Sequence, residues 1–403
     1  MPTNWKLVRL AEVTDWASGG TPPKSTAEYW GGDIPWISAR SMKSGILCES
    51  DRTLTQAGLA KGSRLAEKGT VLVLVRGSEL HKRIPIGVAA KSVAFNQDVK
   101  ALTAKGGLSN RYLFYWLLAN EPLLLSKVEH TGIGAGKLDT GVLQNLEVAL
   151  PPLGEQTEIT EILGTLDDKI ELNRRMSETL EQIARTQFRD WFADKLGKVQ
   201  AGECPSWKVK PLDEIADFLN GAACQRFPPI EGEPWLPVIK IRELNQGITE
   251  QSDRVAANIP EKWHIKDGDV LFSWSGTLLA KKWTGGNAAL NQHLFKVTSA
   301  KYPKWFYFQW VLHHLEAFRS IAADKATTMG HIRRHHLTEA LCVVPDSDSL
   351  SEMGAIMEPI HRRWLMCELE SRTLAELRDT LLPKLISGEL RVPEAEQLVS
   401  EVA

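Results

Sequence analysis

The chain is poor in cysteine and has no closely spaced pair. Its five, Cys48, Cys204, Cys224, Cys342 and Cys367, are scattered over 403 residues without a C-x-x-C spacing. An odd number of isolated thiols in so long a chain excludes a disulfide framework and leaves a zinc site without ligands. No apolar run approaches the roughly 20 residues that span a bilayer. The start, Met1-Pro2-Thr3-Asn4-Trp5-Lys6, has no apolar signal core. A cytoplasmic protein with no membrane partner is therefore expected. Positive charge is not in excess: 48 Lys and Arg against 50 Asp and Glu leave a net charge of −2.

Catalytic patterns are missing as well. In Gly132-Ile133-Gly134-Ala135-Gly136-Lys137 the glycines stand too close for a P-loop, and Leu138 replaces its Ser or Thr. His331, His335 and His336 lack an H-E-x-x-H frame, and their neighbours Arg333 and Arg334 repel a cation, so no metal is expected. Asp346 and Asp348 have no Glu-x-Lys downstream to complete a nuclease core. Leu150-Pro151-Pro152-Leu153 has the proline pair of an amino-methyltransferase signature without its polar and aromatic flanks. With no nucleophile, base and orienter set and no glycine-rich cofactor strand, neither a catalytic residue nor a bound cofactor is expected.

What the chain does contain is a long internal repeat. Residues 131–192 realign on 325–386 at an offset of 194, so Pro151 falls on Pro345 and Thr179-Leu180 on Thr373-Leu374. Phe188, Trp191 and Phe192 fall on Leu382, Leu385 and Ile386. Upstream, Trp5-Lys6-Leu7-Val8 matches Trp207-Lys208-Val209-Lys210, and Ile34-Pro35-Trp36-Ile37 matches Leu236-Pro237-Val238-Ile239. Further on, Lys68-Gly69-Thr70-Val71-Leu72 matches Asp267-Gly268-Asp269-Val270-Leu271, and Asn96-Gln97 matches Asn291-Gln292. A repeat this long is a duplicated domain rather than a solenoid unit. Two similar halves suit a ligand that is itself two-fold, such as duplex DNA.

Each copy runs from short strands to a helix. Val71–Val75 reads as a buried strand, 110–127 as a helix and 143–152 as a strand stopped by Pro151-Pro152. The periodicity then changes: Ile159, Ile162, Leu166, Asn173, Met176, Leu180 and Ile183 alternate at three and four, with Lys169 at the missing step. That predicts one helix over 157–196, about 55 Å long at 1.5 Å per residue, with Asn173 as a register-setting polar residue. Residues 195–205 read as a linker. Met353, Ile356, Ile360, Trp364, Leu374, Leu377, Leu381 and Leu385 form a second stripe, which Pro383 should kink or shorten. The tail 391–403 should fray.

These stretches resemble the specificity subunit of type I restriction–modification enzymes. The resemblance rests on Ser18-Gly19-Gly20-Thr21-Pro22, Ile34-Pro35-Trp36-Ile37, and Gly69-Thr70-Val71-Leu72 with Arg76-Gly77 and Phe95-Asn96-Gln97. It rests also on Leu150-Pro151-Pro152-Leu153-Gly154-Glu155-Gln156 entering a helix with Ile162–Asp167, and on the closing segment Leu377–Glu389. Together they span the chain, and their order makes the match specific. The second copy departs from it: Gly221-Ala222-Ala223-Cys224-Gln225 replaces the Gly-Gly-Thr-Pro loop, Ser275-Gly276 replaces Arg76-Gly77, and 345–349 replaces the Pro-Pro-Leu-Gly-Glu-Gln entry.

The resemblance implies an α+β chain with pseudo-two-fold symmetry. It has two similar mixed α/β target-recognition domains, separated by two long helices packed as an antiparallel coiled coil. The expected boundaries are 1–154 for the first recognition domain, 155–196 for the central spacer helix, 197–349 for the second recognition domain, 350–390 for the C-terminal spacer helix and 391–403 for the tail. It implies a non-catalytic reader of double-stranded DNA with a bipartite site. Two modification subunits, which methylate adenine with S-adenosylmethionine, and ATP-driven restriction subunits would be its partners, and they rather than this chain would bind those cofactors. The alternatives are a DNA-binding regulator that works alone and a self-contained methyltransferase with unrecognised motifs.

DNA readers place Lys and Arg on phosphates and Arg, Asn, Gln or Ser on base edges. Candidates on predicted loops are Thr21, Lys24, Arg40, Lys43, Arg76, Lys82, Arg83 and Lys137 in the first copy. In the second they are Gln225, Arg226, Lys240, Arg242, Ser275, Lys281, Lys282, His331, Arg333 and Arg334. Charge is sorted along the chain: 155–195 holds ten acids against six Lys and Arg, whereas 325–338 holds three Lys and Arg, three His and no acid. Of the 14 tryptophans, Trp36, Trp274 and Trp283 stand near loops, where a core role is favoured over DNA contact.

Overall fold

The computed structural model describes residues 2–131, 134–324 and 330–402. Two compact units divide the chain: residues 1–169 with 373–403, and residues 170–372. Gly132 and Ile133 of the glycine-rich loop, and Lys325 and Met329 of the basic stretch, lie outside the described residues.

Both units are assembled from the same sheets. In the first, a four-stranded sheet has the order Thr53–Leu54, Trp30–Ile37, Val93–Phe95, Arg64–Ala66; in the second, the order is Arg254–Ala256, Trp235–Ile239, Ala288–Leu290, His264–Ile265. The central pair is parallel in each, with Trp36 opposite Ala94 and Val238 opposite Ala289. A second sheet runs Thr14–Ser18, Val99–Ala104, Val71–Leu74, Ile86–Ala89, Ile46–Leu47. Its counterpart runs Asp217–Asn220, Leu294–Thr298, Val270–Ser273, Ala280–Lys282. A two-stranded ladder, Lys6–Arg9 on Glu147–Leu150 and Lys208–Pro211 on Leu341–Val344, closes each unit. Val71–Leu74 and Val270–Ser273 are buried along their whole length, which is why they read as unbroken apolar runs.

Several local expectations are corrected. The helix expected over 110–127 breaks at Asn120 into Asn110–Ala119 and Glu121–Leu125, because Pro122 suits a first turn and not an interior one. Strand 143–152 begins only at Glu147; Thr140–Gln144 is a short helix, capped by Asp139 Oδ1, which accepts the Gly141 N–H at 2.8 Å. The linker stretch carries a helix, Lys195–Gln200. The tail is helical over Val392–Val402, with Val392 and Ala395 buried.

The first long helix spans Leu153–Phe192, 40 residues and about 60 Å at 1.5 Å per residue. It starts earlier than the periodicity predicts because Gln156 is buried and pins its first turn. The Gln156 amide accepts the Ser109 N–H at 2.9 Å and donates to the Gly107 and Pro151 carbonyls at 2.8 and 2.9 Å. The second long helix spans Ser347–Ser387, passes through Pro383 without interruption, and stops at Gly388 in the left-handed region (φ 70°). Each helix begins in one unit and ends in the other.

Within each unit the helices run antiparallel. In the first, Asp167 pairs with Arg378 at 2.8 Å, and Glu155 pairs at 2.9 Å with Arg391, just beyond the end of the second helix. Tyr115 donates to Asp167 at 2.7 Å, tying the helix Asn110–Ala119 to that rung. In the second, Asn173 donates to Glu370 at 2.9 Å and Cys367 Sγ to Met176 Sδ at 3.5 Å. Asn173 is buried, as its place mid-stripe requires. The predicted stripes slip out of phase further along: Ile183 and Ile356 are 46% and 50% exposed, while Ala184, Phe188 and Met357 are buried. A helix of 3.6 residues per turn drifts from a strict heptad, and here Phe188 and Phe192 pack on Trp310, with ring centroids 5.0 and 5.3 Å away.

Candidate nucleic-acid interface

The loops at the ends of the matched strands carry most of the candidate residues. After strand Trp30–Ile37 a turn of helix, Ala39–Ser41, exposes Arg40; after strand Trp235–Ile239 the helix Ile241–Gln246 exposes Arg242 at the corresponding place. Arg242 pairs with the buried Glu243 at 2.7 Å and donates to the Gln251 carbonyl at 3.0 Å, so its guanidinium is held rather than free to swing. Lys240 is paired with Asp253. Lys24 and Lys43 are exposed on turns. Thr21 Oγ1 donates to Gln97 Oε1 at 2.7 Å.

In the second unit a groove of ≈ 720 Å³ brings together Gln225, Lys240, Arg242 and Ser275 with Gln292 and His293. Arg226 is exposed on the adjoining turn Cys224–Arg226. The loop geometry explains the glycine kept in both copies. A Cβ on Gly19 would lie 2.1 Å from the Phe95 carbonyl oxygen, and one on Gly221 would lie 2.2 Å from that of Asn291. No side chain fits where these strands cross the Asn-Gln turns.

A second cluster forms around the strand ends. Arg76 is exposed and lies opposite Lys137 in a short antiparallel ladder; the bridge Ser275 to His331 takes the same position in the second unit. Lys137 lies 3.9 Å from Glu129 and 3.6 Å from Asp139. Lys82 and Arg83 are exposed beyond Arg76, and Arg83 donates to the Met42 carbonyl at 2.9 Å. Arg333 precedes and Arg334 opens the helix Arg334–Glu339; both are exposed. The Arg334 guanidinium donates to the Phe218 carbonyl at 3.5 Å and lies 5.8 Å from the Phe295 ring centroid. The ligand atoms of His335, His336 and Glu339 lie within 4.8 Å of one another, but His336 Nδ1 already accepts the Arg333 N–H at 3.0 Å as a helix cap.

Lys282 is not on this face. Neighbours on a strand point to opposite sides, so Lys281 is exposed, donating to the Asn245 carbonyl at 3.2 Å, while Lys282 is buried. Its ammonium lies 3.7 Å from the Trp364 ring centroid and 3.0 Å from His361 Nδ1. Burial pushes the Lys282 pKa down to about 7 and that of His361 to about 3. An unfolded lysine titrates near 10.4, so the folded chain carries the full cost of this charge below about pH 7 and is relieved of it as pH rises toward 10. Lys282→Met should therefore raise the Tm, relative to the parent, more at pH 6 than at pH 9.5. Equal differences at both pH values would contradict the burial of a charged amine.

Of the tryptophans near loops, Trp36 and Trp283 are core residues at 6% and 4% exposure, and Trp274 is half-buried. Gln97, Gln292 and His293 are not among the candidates that residue type and loop position single out. The repeated Asn-Gln is the available signal, but a polar pair after an apolar strand is too common to stand out alone.

Against this geometry, a family model described as the type I restriction modification DNA specificity domain matches residues 2–182. The type I restriction enzyme MjaIX specificity subunit of Methanocaldococcus jannaschii is 27% identical over 98% of this chain and 95% of its own. The MjaVIII specificity subunit of the same organism is 25% identical over 97% and 94%. The crystal structure of the type I restriction–modification S subunit from M. genitalium superposes with a TM-score of 0.62 at 15% identity, covering 95% of this chain and 96% of that one, which shows the shared fold. Among the described residues no helix is long and apolar enough to cross a membrane.

Proposed function

We propose that the chain is a specificity subunit of the type I restriction–modification family and that each of its two units reads one half of a bipartite DNA target. The observation that carries this reading is a common platform with different readers. Matched sheets and turns recur in both units, while the residues at corresponding places differ: Thr21 against Ala223, the exposed Arg76 against the buried Ser275, Lys137 against His331. Two copies of one fold with unlike loops suit two unlike half-sites. Phosphate contacts position such a protein and base contacts specify it.

In this reading the chain is a non-catalytic scaffold. The long helices hold the modification subunits, and restriction subunits join the assembly; S-adenosylmethionine and ATP belong to those partners. Exposed apolar side chains on the helices, Leu172, Ile183, Ile356 and Met366, support a role for them in docking, since each leaves about half of a large apolar side chain in water.

Arg76 extends from the end of a rigid buried strand and suits a base contact, whereas Arg333 and Arg334 suit phosphate. Arg76→Ala should cost about 1–3 kcal/mol on the cognate site and relax one position. The Arg333→Ala, Arg334→Ala double variant should weaken binding on all duplexes and flatten the salt dependence by about one unit of slope for each phosphate it no longer neutralises. Binding titrations at several salt concentrations, on cognate and scrambled duplexes, distinguish the two. Unchanged affinity and slope for both variants would place the DNA face elsewhere.

A further inference from the structure

Most exposed loop residues differ between the units, yet Asn96-Gln97 and Asn291-Gln292 are the same pair on the same turn. Asn96 and Asn291 are both buried. Each shapes the turn with its own side chain: Asn96 Oδ1 accepts the Asp98 N–H at 3.2 Å, and Asn291 Oδ1 accepts the His293 N–H at 3.2 Å. The backbone anchors correspond as well. The Asn96 N–H donates to the Ile37 carbonyl at 3.0 Å and the Asn291 N–H to that of Ile239 at 3.2 Å. Gly19 and Gly221 close the other side of each turn. Two pinned turns thus present a glutamine amide at one place in each unit, exposed in Gln97 and half-exposed in Gln292.

We infer that Gln97 and Gln292 are specificity-determining residues, each reading an A·T pair at corresponding positions of the two half-sites. The inference rests on the DNA-reading function proposed above. A carboxamide is the side-chain group that matches adenine bidentately, accepting from N6 and donating to N7. In the first unit the amide is already oriented for this. Thr21 Oγ1 donates to Gln97 Oε1 at 2.7 Å, and Gln97 Nε2 donates to Asp98 Oδ2 at 3.4 Å. One amide N–H and one lone pair remain, the set an adenine edge requires. The Asp98 carboxylate beside the amide disfavours a phosphate there, since like charges would be brought together. In the second unit Gln292 lines the same groove as Gln225 and Arg242. The residues flanking the two glutamines diverge, Asp98 against His293 among them. The half-sites should therefore share the A·T pair and differ around it.

Selection of bound duplexes from a randomised pool, with the full chain and its variants, tests this. The parent should select an A·T pair at one position in each half. Gln97→Ala should lose that preference in one half only, by about 5- to 150-fold, with other positions and the salt slope unchanged; Gln292→Ala should do the same in the other half. Gln97→Glu should shift the preference toward C·G, because a carboxylate accepts from cytosine N4. Thermal melting of each variant separates a missing base contact from a failure to fold. Variants that select the parental sequence, or that bind every duplex equally more weakly, would overturn the inference while leaving DNA reading intact. A parent that selects no sequence at all would overturn both.

Discussion

A chimaera in which residues 1–150 come from a relative with a different target changes one half of the DNA sequence bound and leaves the other half as it was. The ladder of Lys6–Arg9 on Glu147–Leu150 lies wholly inside the exchanged segment, so the junction falls between that ladder and the first long helix. Part of what crosses the junction is backbone: Gln156 binds the Ser109 N–H and the Gly107 carbonyl, groups that any side chain at those positions supplies. Side chains cross as well, since Trp5 Nε1 donates to Glu155 at 2.9 Å and Tyr115 to Asp167 at 2.7 Å, and the donor unit must keep both donors. The second unit has its own aromatic core, built around Phe188, Phe192, Trp305 and Trp310, and no part of it is exchanged. Each mismatched base pair costs about 1–3 kcal/mol, roughly additively, so binding to the parental site should fall by several orders of magnitude once three positions differ. If both halves of the target change together, the assignment of one unit to one half is wrong.

Lengthening both long helices by one heptad lengthens the unread gap between the half-sites and leaves both half-site sequences unchanged. The insertions belong after Lys169 and after Arg372, where each helix passes from one unit to the other. They fall between two polar rungs, Asp167 with Arg378 and Asn173 with Glu370, so neither rung is broken. Seven residues add about 10 Å of helix, the length of about three base pairs at 3.4 Å each. They change the facing direction by only about 20°. Affinity for the original spacing should drop to the level of non-specific binding. An unchanged gap, or an altered half-site, would remove the helices from the role of spacer.

The duplication was legible because both copies must solve the same packing problem: the strand Val71–Leu74 and its counterpart Val270–Ser273 are buried throughout and keep the same apolar register. The long helices were legible for the same reason, and Asn173 stood out as a polar residue in the middle of an apolar stripe. Periodicity failed where the partner changed. Ile183 and Ile356 lie on the heptad stripe but face water, because beyond that point the helices pack on a sheet-and-helix core that takes Ala184 and Phe188 instead. At the interface, residue type alone could not separate Lys281 from Lys282, since strand parity decides which of two adjacent lysines reaches water and no pattern in Ala280–Lys282 fixes that parity. Arg40 and Arg242 were found singly, and only the matched sheets reveal that they occupy one position. Gln97 and Gln292 were visible as a repeat, but their exposure depends on the turn that the buried asparagines build.

Sequencing methylated bases genome-wide, in cells that express this chain with the modification subunit proposed for it, tests most directly whether one chain carries two independent readers. A methylated motif of two specified blocks, unlike in sequence and separated by an unread gap of fixed length, is the predicted result. A single contiguous motif, or methylation that does not depend on this chain, would contradict it.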